Sequence, residues 1–186
     1  KSSNSGECQE YYNEYDINKY QITVSKKVNI PKWFEEGVLY HIFVDRFNKT
    51  GKIHNPKKNS FMYANWEDTP MYIKNSEGEI ARWDFHGGNL KGIISKLNYL
   101  KSLGISIIYL SPIFEAQSNH KYDTGNYKAI DPMFGDEEIF KELIKEAKEK
   151  GMSIILDGVF SHTGDDSIYF NKYGNYDSLG AYQSKE

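Results

Sequence analysis

The most constraining feature of the sequence is a helix–glycine–strand unit that occurs twice. The first unit places apolar residues at helical spacing before a glycine and an apolar run: Leu90, Ile93, Ile94, Leu97, Leu100 and Leu103, then Gly104, then residues 105–110. The second unit repeats this order: Ile139, Phe140, Leu143, Ile144 and Ala147, then Gly151, then residues 152–157. Helices and strands that alternate in this way are typical of right-handed βαβ units, so the sequence predicts an α/β fold with a parallel sheet.

Both predicted helices carry their own start and stop signals. Asn89 and Asp136 are suited to cap helix N-termini, because a short side-chain oxygen can accept a hydrogen bond from the first turn. Gly104 and Gly151 follow the helices, where glycine readily adopts the left-handed conformation that ends them. The apolar run 152–157 is further predicted to be a strand buried on both faces.

A third strand is predicted at residues 37–47, where an apolar run ends in Asp45 and Arg46. Residues 48–88 then form a long polar segment in which neither helical nor strand periodicity is present. Parallel strands joined by right-handed crossovers send their following loops to one edge of the sheet, where α/β proteins gather their chemistry. We therefore expect Asp45 and Arg46, the loop 117–125, and the segment after residue 157 to converge.

Each polar residue at this edge also has a structural interpretation. Asp123 can cap a turn, with Tyr122 packed beneath it. His162 can be tied into its loop by hydrogen bonds, and Asp157 can hold a loop in place or pair with an arginine such as Arg46. The residues alone leave these alternatives open beside ligand binding.

Composition excludes several classes of function. A chain of 186 residues predicts one domain, or one domain and part of another. The net charge of -3, from 23 basic and 26 acidic residues, argues against nucleic acid as a partner. No apolar run reaches the length of a membrane span, so no membrane association is predicted. No spacing of histidine and cysteine suits zinc, and no phosphate-binding loop pattern is present.

The sequence gives little information on location. The single Cys8 cannot form an internal disulfide, so nothing requires an oxidising compartment. The first residues lack the basic and apolar pattern of a signal segment, which favours a cytoplasmic location. A secretion signal preceding Lys1 would instead predict an extracellular one.

Four separated motifs together resemble the alpha-amylase family of glycoside hydrolases, and most of all its neopullulanase and cyclomaltodextrinase branch. The motifs occur in the family's order at residues 38–47, residues 85–93, residues 120–135 and residues 155–164. The resemblance implies a partial TIM (β/α)8 barrel, comprising its first three strands and two helices. It also implies three regions: 1–30 as the last strand and linker of an N-terminal β-sandwich, 31–164 as the first part of the barrel, and 165–186 as the start of the inserted B domain.

Carried over residue by residue, the resemblance assigns binding roles to four side chains. Tyr122 would stack on the sugar ring at the cleavage subsite, and His162 would hydrogen-bond a hydroxyl of that sugar. Asp157 would order the site, and Asp123 would fix the loop behind Tyr122. None of these residues is expected to be catalytic, because the nucleophile and the acid/base of the family's retaining mechanism lie on later barrel strands.

The resemblance therefore predicts a parent enzyme that hydrolyses or transfers α-glucosidic bonds in maltodextrins, cyclodextrins or pullulan. This chain by itself is expected to be inactive, and its exposed sheet edges to make it marginally stable alone. A homodimer of the parent is compatible with this branch of the family. Two alternatives are a catalytically inactive amylase-like barrel that binds glycans or proteins, and an unrelated doubly wound α/β domain.

Calcium, which some relatives bind, is expected to bind weakly or not at all. Ser161 stands where the family commonly has a calcium-binding asparagine, and Asn89 stands where an aspartate is common. The loop of residues 48–59 contains no aspartate, although calcium sites usually include carboxylates. No metal ligand is therefore assigned.

Overall fold

The computed structural model of the chain describes residues 29–51 and 57–184. The chain divides into two compact units, Lys1–Ile30 and Pro31–Glu186, and every element below belongs to the second. The strand predicted near residues 20–24 lies outside the described residues, so the assignment of residues 1–30 to a β-sandwich stays a prediction.

Helices and strands alternate along the described chain. The elements are α1 (Lys32–Glu35), β1 (Leu39–Ile42), a 3-10 turn (Val44–Arg46), β2 (Ser60–Met62), β3 (Trp83–Phe85), α2 (Leu90–Ser102), β4 (Ile107–Leu110), β5 (Phe114–Ala116), β6 (Thr124–Ile130), α3 (Glu137–Glu149) and β7 (Ser153–Leu156).

A parallel sheet in the order β1-β4-β7 forms the centre of the fold, as the repeated unit predicts. In its register Ile42 pairs with Leu110, and Leu110 with Leu156. Helices α2 and α3 connect the strands and pack against each other. Their apolar residues and one face of the sheet bury a common core, which includes Ile42, Ile108, Leu110, Leu97, Leu100 and Leu143.

The opposite face of the sheet is open. Leu39 is 44% exposed and His41 is also exposed, whereas their neighbour Ile42 is buried. The prediction that the strand at residues 152–157 is buried on both faces is wrong, because all four residues of β7 are only half-buried. Ile107 on this face is nevertheless buried, because the chain at Gly37 lies against it, so the exposed part of the face is at Leu39 and His41. In a closed barrel this face points to the interior.

Both helix caps are confirmed. The Asn89 side chain accepts a hydrogen bond of 2.7 Å from the backbone N–H of Gly92, and Asp136 accepts one of 2.9 Å from Ile139. Gly104, which follows the C-cap residue Leu103 of α2, has a positive φ of 79°. These boundaries follow from local chemistry, which explains why the sequence alone predicts them.

The prediction that residues 48–88 contain no strand is wrong. Strands β2 and β3 pair in parallel within this segment, and the equally unexpected hairpin β5–β6 follows β4. Strands β2, β3 and β5 have three residues each, which is too short for alternation to be recognised.

Two glycines allow the loop after β1 to lie directly against the start of α2. A Cβ atom on Gly88 would come within 2.0 Å of the Val44 carbonyl oxygen. A Cβ atom on Gly92 would come within 1.9 Å of the Asn48 carbonyl oxygen. Side chains are therefore excluded at both positions, and the close contact helps fix where Asp45 and Arg46 lie.

Candidate active site

A hydrogen bond between Tyr122 and Asp157 joins two of the loops that were expected to converge. The Tyr122 hydroxyl donates to Oδ2 of Asp157 over 3.0 Å. Asp157 directly follows β7, and its backbone N–H continues the parallel ladder by donating to the Leu110 carbonyl. Tyr122 lies between β5 and β6, in the connection that follows β4. The ends of two neighbouring strands therefore place these side chains together.

The Asp157 carboxylate raises the pKa of two nearby phenols. Burial raises the pKa of Tyr122, and the hydrogen bond to Asp157 raises it further. Burial, and then the nearby charge of the same carboxylate, raise the pKa of Tyr109 on β4. Both hydroxyls therefore keep their protons at neutral pH, and the Tyr122 hydroxyl is the donor in its hydrogen bond with Asp157.

Asp157 does not pair with Arg46, one of the structural interpretations left open by the sequence. The Arg46 guanidinium contacts Asp45 at 2.8 Å and Asp84 at 3.3 Å instead. Asp45 also accepts backbone hydrogen bonds from residues 86 and 87, which ties the loop after β1 to the entry of α2. Asn119 donates to the Asp84 carbonyl at 2.8 Å, so this cluster is linked to the Tyr122 loop.

Asp123 stabilises the turn behind Tyr122. It accepts a hydrogen bond of 3.1 Å from the Ser118 N–H and a second, very short one from the Ser118 hydroxyl. The Tyr122 N–H donates to Nδ1 of His120 over 3.1 Å, so this nitrogen carries no proton. Burial lowers the pKa of His120, in agreement with a neutral ring. Asp123 thus has the turn-capping contacts that its structural interpretation requires.

His162 lies on the loop after β7, five residues beyond Asp157, and it is exposed. Its backbone carbonyl accepts a hydrogen bond of 2.7 Å from the Tyr127 hydroxyl. Its ring nitrogen Nδ1 lies 3.1 Å from the Ser161 hydroxyl. The backbone of His162 is therefore anchored, while its ring takes no part in the Tyr122–Asp157 hydrogen bond.

A buried ion pair next to Tyr122 was missed by sequence reasoning. Nζ of Lys121 lies 2.7 Å from Oδ2 of Asp131, and both side chains are fully buried. Lys57 approaches the same oxygen at 2.8 Å. Burial raises the pKa of Asp131, but the two lysines outweigh it and leave the pKa below its ordinary value. A lysine in a polar loop is normally exposed, so no sequence signal marked this residue.

Asn48 and Asn89, which lie in the segments considered above for calcium, are occupied by contacts within the protein. The Asn89 side-chain oxygen is occupied by the Gly92 N–H, and the Asn48 amide nitrogen donates to the Gly92 carbonyl and the Ser95 hydroxyl. The Asn48 backbone carbonyl accepts from the Asn89 N–H. Within the ranges that the structure describes, no group of three or more His, Cys, Asp or Glu side chains could hold a metal ion.

No helix in the described part of the chain is long and apolar enough to cross a bilayer.

Comparisons with known proteins agree with this geometry. The family model for the alpha-amylase catalytic domain matches residues 41–185. Amylopullulanase from Thermoanaerobacterium saccharolyticum is 48% identical over 182 residues, covering 90% of this chain and 14% of the relative. Neopullulanase 2 from Thermoactinomyces vulgaris is 41% identical over 147 residues, covering 78% of this chain and 23% of the relative.

A solved structure gives the same result. The cyclic alpha-maltosyl-(1-->6)-maltose hydrolase from Arthrobacter globiformis superimposes with a TM-score of 0.65 at 34% identity, covering 84% of this chain and 32% of that one. The chain therefore spans less than a quarter of the length of the two curated relatives. The match of the family model over residues 41–185 shows that the chain belongs to the alpha-amylase catalytic-domain family, of which it contains the N-terminal part of the barrel.

Proposed function

We propose that this chain supplies the sugar-positioning part of a retaining α-glucan hydrolase or transglycosylase whose barrel is completed by further strands. Tyr122 would stack on the sugar at the point of cleavage, and His162 would hydrogen-bond one of its hydroxyls. Asp157 would orient Tyr122, and Asp123 would brace the loop that carries it. The substrates proposed are maltodextrins, cyclodextrins or pullulan.

The observation that carries this proposal is the 3.0 Å hydrogen bond between Tyr122 and Asp157. It fixes the phenol by its hydroxyl end, while the residue remains 37% exposed. A ring that is held at one end and open to solvent is suited to packing against the apolar face of a sugar. A tyrosine that served only the core would be buried.

The carboxylates at this edge are better suited to positioning than to bond cleavage. A retaining mechanism needs two carboxyl groups about 5 Å apart, one free to attack and one to transfer a proton. Asp45 is occupied by two backbone N–H groups and Arg46, and Asp123 by Ser118. Asp157 accepts from the Tyr122 hydroxyl. We therefore assign the nucleophile and the acid/base to later strands and expect the 186-residue chain alone to be inactive.

The test compares the intact protein with its Tyr122→Ala and Tyr122→Phe variants on cyclodextrin, pullulan and starch. The proposal predicts that the intact protein releases reducing sugars and that Tyr122→Ala lowers kcat/KM by about 100-fold or more. Tyr122→Phe keeps the ring and should retain more activity. An intact protein that binds maltodextrin without cleaving it would refute the enzyme and support the glycan-binding module.

A further inference from the structure

The loop that carries His162 is held by the phenol of Tyr127 on β6. The Tyr127 hydroxyl donates over 2.7 Å to the His162 backbone carbonyl, and it also contacts the backbone carbonyl of Val159. A phenol has only one proton, so the two carbonyls share it. Both ends of the segment 159–162 are thereby tied to one atom on the neighbouring strand.

The Tyr127 ring is itself fixed by aromatic packing. Its centroid lies 6.0 Å from that of Phe114 on β5, 5.5 Å from that of Phe160 and 5.7 Å from that of Tyr169. The Tyr127 backbone N–H donates to the Tyr169 hydroxyl over 3.1 Å. Because these contacts restrict the ring, the packing determines where its hydroxyl lies.

Strand β6 also follows directly on the loop of Tyr122. Its first residue, Thr124, lies two positions after Tyr122. The Thr124 carbonyl accepts a hydrogen bond of 2.9 Å from the N–H of Gly164, two positions after His162. The strand is therefore bonded to the loop of His162 and continuous with the loop of Tyr122, the two side chains proposed to contact the same sugar.

From these contacts we infer that Tyr127 is a positioning residue for His162, and that its hydroxyl sets the spacing between His162 and Tyr122. The inference deepens the proposed function and rests on it. Among the described residues, the His162 ring has one hydrogen-bond contact, to its neighbour Ser161. The place of the ring is therefore determined by the backbone that carries it. Without the Tyr127 hydroxyl that backbone loses an anchor, and His162 is aligned with the sugar hydroxyl less of the time.

The test is a double-mutant cycle in the intact protein, with kcat/KM on a maltooligosaccharide as the readout. Tyr127→Phe keeps the packed ring and removes only the hydroxyl. It is expected to lower kcat/KM about tenfold, the order expected for the loss of one positioning hydrogen bond. In the His162→Ala background the same change should lower kcat/KM less than twofold, because the side chain that the hydroxyl positions is absent. Tyr173→Phe is a matched control and should stay within twofold of the wild type, since it removes a phenol hydroxyl that donates to Asp165 instead.

Wild-type kcat/KM in Tyr127→Phe, or equal losses in the two backgrounds, would overturn the inference, because a residue that only stabilises the fold has no coupling to His162. Full activity of His162→Ala would also overturn it, by removing the role on which it rests. If the wild type binds the maltooligosaccharide without cleaving it, the proposed enzyme fails, and the same cycle measured on Kd decides the inference. A wild type that neither binds nor cleaves would refute both.

Discussion

Replacing Asp131 with asparagine is the substitution expected to destabilise the protein most among the three members of its ion cluster. Asp131→Asn would leave the fully buried ammonium of Lys121, and the partly buried one of Lys57, facing a neutral amide. Removing one partner from a buried ion pair costs about 3–5 kcal/mol, because the remaining charge has lost its solvation and its counter-ion.

Replacing either lysine should lower the free energy of unfolding by less, for reasons visible in the contacts. After Lys121→Met, Asp131 still has Lys57 at 2.8 Å and backbone donors from Ala116 and Met133 at 3.2 and 3.0 Å. Lys121→Met is therefore expected to lower the free energy of unfolding by about 2–3 kcal/mol, the order found for hydrogen bonds to a charged group. Lys57→Met removes a side chain that keeps some solvent contact, so about 1 kcal/mol is expected.

Urea unfolding of the intact protein, checked for two-state behaviour, measures this order. The double variant Lys121→Met/Asp131→Asn should lose less than the sum of the two single variants, because the second change removes the charge that the first left unpaired. Additive losses, or a loss for Lys57→Met equal to that for Asp131→Asn, would show that the three residues do not act as one buried cluster.

Three further predictions concern the scaffold. Gly92→Ala should lower the free energy of unfolding by about 2 kcal/mol or more although alanine favours helix, because its Cβ would lie 1.9 Å from a backbone oxygen of the loop after β1. Lys91→Ala, at an exposed position of the same helix, is the control. Equal melting temperatures of the two variants would contradict the close contact. Thermal unfolding should show a loss of stability of about 2 kcal/mol for Asn89→Ala and about 1 kcal/mol for Asp136→Ala, because the first cap is buried and the second is exposed. A larger loss for Asp136→Ala would be inconsistent with the structure. The folded-state pKa of Asp131 is below its ordinary value despite its burial, so the stability that its charge contributes is present above about pH 4 and is lost as the pH falls further. When unfolding is measured against pH, Asp131→Asn should therefore lack this part of the acid dependence. Identical acid profiles of the variant and the wild type would refute the assignment.

The parts of the fold that could be predicted are those determined by neighbouring residues. Asn89 and Asp136 cap helices by chemistry that lies within four residues, and the apolar run before Asp157 predicts strand β7, although not its half-buried state. The family motifs directed attention to Tyr122 and Asp157, whose contact the structure contains.

The parts that could not be predicted depend on pairs that are distant in sequence. Lys121 is buried because Asp131 and a backbone carbonyl meet it in the folded chain, and nothing in its own segment indicates this. His41 lies 70 residues from Ser111, and only the parallel register of β1 and β4 brings them together. Short strands such as β2 were missed because three residues cannot display a period.

A crystal structure of the intact protein with an uncleaved maltooligosaccharide tests the central claim most directly. The account predicts a glucose ring packed on the face of Tyr122, with one of its hydroxyls within hydrogen-bonding distance of the His162 ring and the Tyr122–Asp157 hydrogen bond intact. A saccharide bound in the barrel without contact to Tyr122, or a complex in which Tyr122 has left Asp157, would contradict it.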